Sequence, residues 1–133
     1  QNSIEGGARY FRLIQRRIPQ DIPDPDRTWF ALAAYNMGIG HLEDARELTA
    51  QRGGDPRKWM DVKETLPLLG QRQWYERTRY GHARGKEALR YVENIRSYYD
   101  ILVWRTDPGK AAPQLTAVTS SPLDGGALTP PLL

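Results

Sequence analysis

Apolar residues recur at helical spacing along most of the chain, and no stretch alternates over four or more positions as a half-buried strand would. Ile4, Ala8, Phe11, Ile14 or Gln15, and Ile18 share one face of a first helix. Asn2 and Glu5 have the spacing of a capping box at its start, and Pro19 ends it. A second, more uniformly apolar helix carries residues 29–37, with Asp24 as N-cap and Pro25 at the first helical position. Gly38 and Gly40 break it. The third helix turns Leu42, Ala45, Leu48 and Thr49 inward and closes at Gly53 and Gly54.

Short helical pieces are predicted over residues 56–69 and 72–79, interrupted at Pro67 and Gly70, before TRYGHARG turns the chain. The last helix, residues 85–104, has the clearest period: Ala88, Tyr91, Val92, Ile95, Tyr98 or Tyr99, and Leu102 fall on one face. Its other side carries Lys86, Arg90, Glu93, Asn94, Arg96 and Asp100, which reads as a solvated face. The expected fold is therefore all-α over residues 1–105. From Asp107 onward the text is rich in Pro and Gly, lacks aromatics and has no helical period, so residues 106–133 read as a flexible, disordered tail.

Composition narrows the possible chemistry. A chain of 133 residues with 39% apolar content fits one domain with a modest core. Without cysteine there is no disulfide, thiolate nucleophile or Cys-ligated zinc, and redox compartment stays open. No apolar run approaches the roughly 18 residues of a membrane span. The net charge of +3 is too small to argue for a nucleic-acid partner, although the Arg and aromatic residues of QRQWYERTRYGHARG could stack on bases, stack on sugar rings or simply pack. His41 and His82 lack companions at metal-ligand spacing, and no phosphate-binding glycine loop or nucleophile elbow occurs, so no metal and no cofactor is expected.

Two places stand out. Tyr35 and Asn36 close an apolar helix, where an amide must find partners or cost on the order of 1–3 kcal/mol; Asn36 is either a helix cap or part of a cleft. Tyr91, on the apolar face of the last helix, is either a core residue with a satisfied hydroxyl or a second cleft residue. Glu87, one turn before it, reads as a surface acid, an ion-pair partner or a ligand to a neighbouring helix end.

These stretches share a resemblance. SIEGGARYF, FALAAYNMGIGHLEDAR, KWMDVKETLPLL and RYGHARGKEALRYVENIRSYYDIL together resemble the C-terminal part of the catalytic domain of the lytic murein transglycosylases, in the goose-lysozyme-like superfamily. Ala34-Tyr35-Asn36-Met37-Gly38 matches the family's AYNxG motif, and Glu87 with Tyr91-Val92 resembles its E(T)xxYV motif. His82 stands where the family pattern has a second Tyr in YGYARG.

The resemblance implies a lysozyme-like helical lobe acting on peptidoglycan glycan strands. It implies cleavage of the β-1,4 bond between N-acetylmuramic acid and N-acetylglucosamine with formation of a 1,6-anhydro end. One glutamic acid serves as acid and then as base, with no cofactor. Tyr35, Asn36 and Tyr91 would be supporting catalytic residues, with Met37 and Gly38 completing the substrate-binding wall and Glu87 a buried hydrogen-bonder. The family's Glu-Ser and GLM motifs belong upstream of SIEGG, so residues 1–133 alone are expected to be inactive. The alternative is a non-catalytic peptidoglycan-binding or scaffold module. Periplasmic, outer-membrane-attached location is implied by resemblance alone. Upstream helices covering Trp29, Phe30 and the Tyr91 face would leave this segment with an exposed apolar patch, and hence with self-association or a covering partner.

Overall fold

The computed structural model describes residues 3–107 and 109, and of residues 3 and 4 the backbone alone. Six α-helices follow in order: α1 Ser3–Arg17, α2 Asp26–Met37, α3 Ile39–Gln51, α4 Trp59–Thr65, α5 Arg72–Tyr75 and α6 Gly85–Thr106, with a 3₁₀ segment Leu66–Gly70 between α4 and α5. No strand occurs among the described residues, in agreement with the all-α expectation. Apart from Thr106, Asp107 and Gly109, the predicted tail lies outside the described residues, as does Asn2 of the predicted capping box.

Helix α2 is the central element because its middle is small and apolar. Phe30, Ala31, Ala33 and Ala34 have no exposed surface; alanines let neighbouring helices come close, and α1, α3 and α6 all pack against it. Phe30 meets Trp59 of α4 edge-on, ring centroids 5.8 Å apart. Val62, Leu66, Leu69 and Val92 complete a core without solvent contact. Burying one such aliphatic side chain contributes about 1.5–3 kcal/mol.

Polar groups fix the joints between helices. The Arg27 guanidinium donates to the carbonyls of Gln15, Ile18 and Pro19, so a cation from α2 closes the C-terminal end of α1. Pro25, rather than Asp24, occupies the N-cap position of α2; the Asp24 carboxylate instead accepts the Thr28 hydroxyl at 2.8 Å. Asp26 accepts the Trp59 backbone N–H at 3.0 Å and ties the start of α2 to the start of α4. The buried hydroxyls of Thr49 and Thr65 lie 2.8 Å apart, joining α3 to the end of α4.

Helix α6 departs from its predicted facing. It runs antiparallel to α2, with Trp29 near the start of α2 set edge-on against Tyr99 at 6.4 Å. With 22 residues against 12, α6 outruns its partner by about 15 Å. Tyr98, Tyr99 and Leu102, expected inside, are exposed, although Tyr99 still meets the Trp29 ring. Asn94, expected on the solvated side, is only 3% exposed, because the buried stripe follows Ala88, Tyr91, Val92, Asn94 and Ser97. The anticipated exposure of Trp29, Phe30 and Tyr91 is also corrected: all three are buried within this chain, where α6 packs against α2 and Trp59 of α4 meets Phe30, and Arg96 lies over the Trp29 ring at 5.7 Å.

Candidate functional site

The last turn of α2 brings Tyr35 and Asn36 to the edge of the core, where both are half-buried. Tyr35 is gripped by α1: its ring centroid lies 5.8 Å from both Tyr10 and Phe11. Its hydroxyl would stand 2.9 Å from a Cβ built on Gly7, so the absence of a side chain at residue 7 makes room for it. Sequence periodicity missed both contributions, since Tyr10 fell off the predicted apolar face and Gly7 carries no hydropathic signal.

Asn36 is not the helix cap. Gly38 takes that role with φ 100° and ψ 144°, its N–H donating to the Ala34 carbonyl at 2.8 Å. The positive φ is a region open to glycine and strained for other residues. The Gly38 carbonyl then accepts the Leu42 N–H at 3.2 Å, so α3 starts at once and Asn36, Met37 and Gly38 form a continuous half-buried corner. The amide of Asn36 makes no side-chain hydrogen bond to another described residue and is not sealed in the core, which leaves it available to a ligand.

Tyr91 approaches the same region from α6. It is 2% exposed, and burial, with a smaller contribution from the neighbouring Tyr35, pushes its phenol from the usual 10.0 up to about 12. The hydroxyl therefore stays protonated across the physiological range and can act as a hydrogen-bond donor to an anionic or carbonyl oxygen. Tyr35 and Tyr91 are thus brought together, and Asn36-Met37-Gly38 continues the surface along the α2–α3 corner.

Glu87 falls outside this grouping. Its side chain is 63% exposed and pairs loosely with Arg84 at 3.8 Å, correcting the expectation of a buried hydrogen-bonder. In the first turn of α6, a carboxylate is favoured by the unpaired N–H groups of the helix start whether or not it is buried. It borders an open cleft of about 350 Å³ lined by Pro67, Gly70, Gln71 and residues 82–87, which includes none of Tyr35, Asn36 and Tyr91.

An unpredicted group lies on the other side of Gly38. Asp44, 3% exposed, accepts the backbone N–H of Arg79 at 3.2 Å and of Tyr80 at 2.9 Å and so pins the turn after α5 to α3. In HLEDAR this aspartate is indistinguishable from a surface acid. Of the aromatic and basic stretch that follows, Trp74 is engaged by Arg52 and Arg77 at 5.2 and 5.5 Å, and Tyr75 by His82 at 5.3 Å. Those rings pack against their own chain. Among the described residues no group of three or more His, Asp or Glu side chains is placed to hold a metal ion, and no helix is long and apolar enough to cross a membrane.

No known family profile matches the chain. Over 108 residues it is 65% identical to a protein named membrane-bound lytic murein transglycosylase F in Marinobacter nauticus (strain ATCC 700491 / DSM 11845 / VT8) and 62% identical to the protein of that name in Ectopseudomonas mendocina (strain ymp). Each alignment covers 81% of this chain and 22% of the relative. A third protein of that name, from Alteromonas mediterranea, is 61% identical over 110 residues, covering 83% of this chain and 24% of the relative. The chain thus spans roughly a fifth of the length of these relatives and corresponds to their C-terminal part.

Proposed function

We infer that the chain is the C-terminal portion, over residues 1–105, of a lytic murein transglycosylase catalytic domain, and that it supplies one wall of a cleft for a peptidoglycan glycan strand. The observation that carries this reading is the convergence of Tyr35 and Tyr91, from motifs 56 positions apart, next to Asn36, whose amide makes no side-chain hydrogen bond to another described residue. The cleavage is that of the β-1,4 bond between N-acetylmuramic acid and N-acetylglucosamine, closing a 1,6-anhydro ring on the muramic acid.

Each residue has a role its chemistry suits. Asn36, with a donor and an acceptor on one amide, matches the N–H and C=O of an N-acetyl group. Gly38 keeps the backbone low beside it, so a sugar can approach the Met37-Gly38 edge. The neutral Tyr91 hydroxyl donates toward the acid/base carboxylate and favours its ionised form once the proton has passed to the glycosidic oxygen. Tyr35, wedged between Tyr10, Phe11 and Gly7, fixes the geometry of that hydroxyl pair. The acid/base glutamate itself comes from outside residues 1–133, facing this wall.

The cell envelope is the corresponding location, periplasmic and attached to the outer membrane in the intact protein; the relatives' shared name includes the word membrane-bound. The exposed apolar end of α6, with Tyr98, Tyr99, Leu102 and Trp104, is the surface through which self-association or an upstream domain would act.

The test is product analysis. The protein expressed from its whole reading frame is incubated with purified murein, and 1,6-anhydro muropeptides are measured by mass spectrometry. Release that falls at least a hundredfold in Asn36→Ala supports the reading. Ordinary reducing ends, or binding without cleavage, would support the non-catalytic glycan-binding module instead.

A further inference from the structure

Tyr80 is the aromatic side chain of the QRQWYERTRYGHARG stretch that keeps an open face. It is 51% exposed. A Cβ built on Gly40 would meet its Cγ, Cδ2 and Cε2 at 3.1, 3.0 and 3.0 Å. Three adjacent ring atoms at nearly one distance mean that the ring lies flat on the Gly40 backbone, so its opposite face is the one turned to solvent. The backbone beneath is fixed, because both oxygens of the buried Asp44 carboxylate hold the N–H groups of residues 79 and 80.

His41 completes the arrangement. Its ring stands edge-on to Tyr80, centroids 6.4 Å apart and planes at 78°. The Nδ1 atom is buried with no hydrogen-bond partner among the described residues, so a ligand would meet this imidazole through Nε2. The same imidazole borders Gly38, whose Cβ position is 3.8 Å from His41 Cδ2. One surface therefore runs from Asn36 through Gly38 and His41 to Tyr80.

A flat, pre-set aromatic face beside an imidazole suits a pyranose ring. The axial C–H bonds of the sugar meet the negative face of the phenol ring, while a ring hydroxyl or an acetamido oxygen reaches the imidazole N–H. We propose that Tyr80 and His41 form a further sugar-binding position, next along the glycan strand from the Asn36–Gly38 corner. This rests on the glycan-cleft reading above and adds to it an assigned position and two residues. Nucleic-acid bases would also stack on tyrosine, but with a net charge of only +3 there is little to hold a phosphate backbone.

The experiment is an NMR titration of residues 1–133 with chitotetraose, the β-1,4 tetramer of N-acetylglucosamine, following backbone shifts and saturation transfer from tyrosine rings to sugar protons. Saturation transfer to sugar C–H protons that disappears in Tyr80→Ala is expected, with affinity reduced roughly tenfold. Tyr80→Phe should keep most of the affinity, because the ring face rather than the hydroxyl binds. Gly40→Ala, which retains the tyrosine but lifts its ring, should weaken binding as well. Thermal melts of each variant verify folding. Binding by the wild type that Tyr80→Ala and Gly40→Ala leave unchanged overturns the assigned position while the glycan reading stands. No binding of the tetramer by the wild type counts against both.

Discussion

The hydroxyl of Tyr35 stands 2.9 Å from the point a Cβ would take on Gly7, closer than such atoms approach in practice. Helix α1 therefore sets the position of the first AYNMG polar residue through the absence of a side chain. Gly7→Ala should separate two effects. Alanine favours a helix interior by about 1 kcal/mol over glycine, and the clash falls on a side-chain hydroxyl rather than on backbone, so stability measured by urea denaturation should change by no more than about 1 kcal/mol. Glycan affinity, measured by titration with chitotetraose, should nevertheless fall severalfold as the ring is displaced.

Tyr91 predicts a pH dependence. Its phenol titrates near 10.0 when exposed and at about 12 in the fold, so between those values the unfolded chain has lost a proton that the folded chain retains. The native state binds more protons there, and stability declines with rising pH. The contribution is fully present below pH 10 and is lost as the pH rises to about 12, a change on the order of 2–3 kcal/mol across that interval. Urea melts at intervals from pH 9 to 12 should show a steeper decline in the wild type than in Tyr91→Phe. Equal slopes in the two proteins would contradict the buried, protonated phenol.

Gly85 opens α6 where it presses on the 3₁₀ segment. A Cβ there would lie 1.7 Å from the Leu66 carbonyl oxygen and 2.5 Å from its carbon, and neither is free to rotate away. Gly85→Ala should cost on the order of 3 kcal/mol, because backbone must separate over a fully buried leucine. The denaturation midpoint checks it, with Gly53→Ala as a comparison: that site has open space but φ 91°, so only local backbone strain is added.

Helix existence was legible because apolar spacing is a local property. The inward turn of Leu42, Ala45, Leu48 and Thr49 on α3 follows from that spacing alone. Facing at the far end of α6 does not, since it depends on which neighbouring elements reach it; the alternation of Tyr98, Tyr99 and Leu102 looks the same whether or not a neighbour is present. At the candidate site, the glycine after Met37 marks the end of α2, yet whether Asn36 or Gly38 caps it turns on one backbone angle. Asp44 was invisible for a related reason. Its two N–H partners lie 35 and 36 positions away, and no periodicity within α3 distinguishes a buried carboxylate from a solvated one.

Purified residues 1–133 should release no 1,6-anhydro muropeptides from murein. A general acid for glycosidic cleavage must be a carboxyl group kept protonated by an apolar enclosure and placed against the cleft wall. Glu5, Glu43, Glu47, Glu64, Glu76 and Glu87 are all exposed and have no such enclosure. Glu93 is half-buried but already engaged, 3.7 Å from the Lys63 ammonium and 3.4 Å from the Trp59 indole N–H. The buried Asp44 accepts backbone N–H groups on both oxygens and is committed to holding the turn after α5. Supplying this wall with the remainder of the polypeptide should restore release, and substitution of Tyr91 by Phe in that longer protein should lower kcat more than it raises KM, because the hydroxyl acts on the carboxylate after proton transfer rather than on substrate binding. Anhydro products from residues 1–133 alone, persisting in Asn36→Ala, would remove the basis for placing the acid elsewhere.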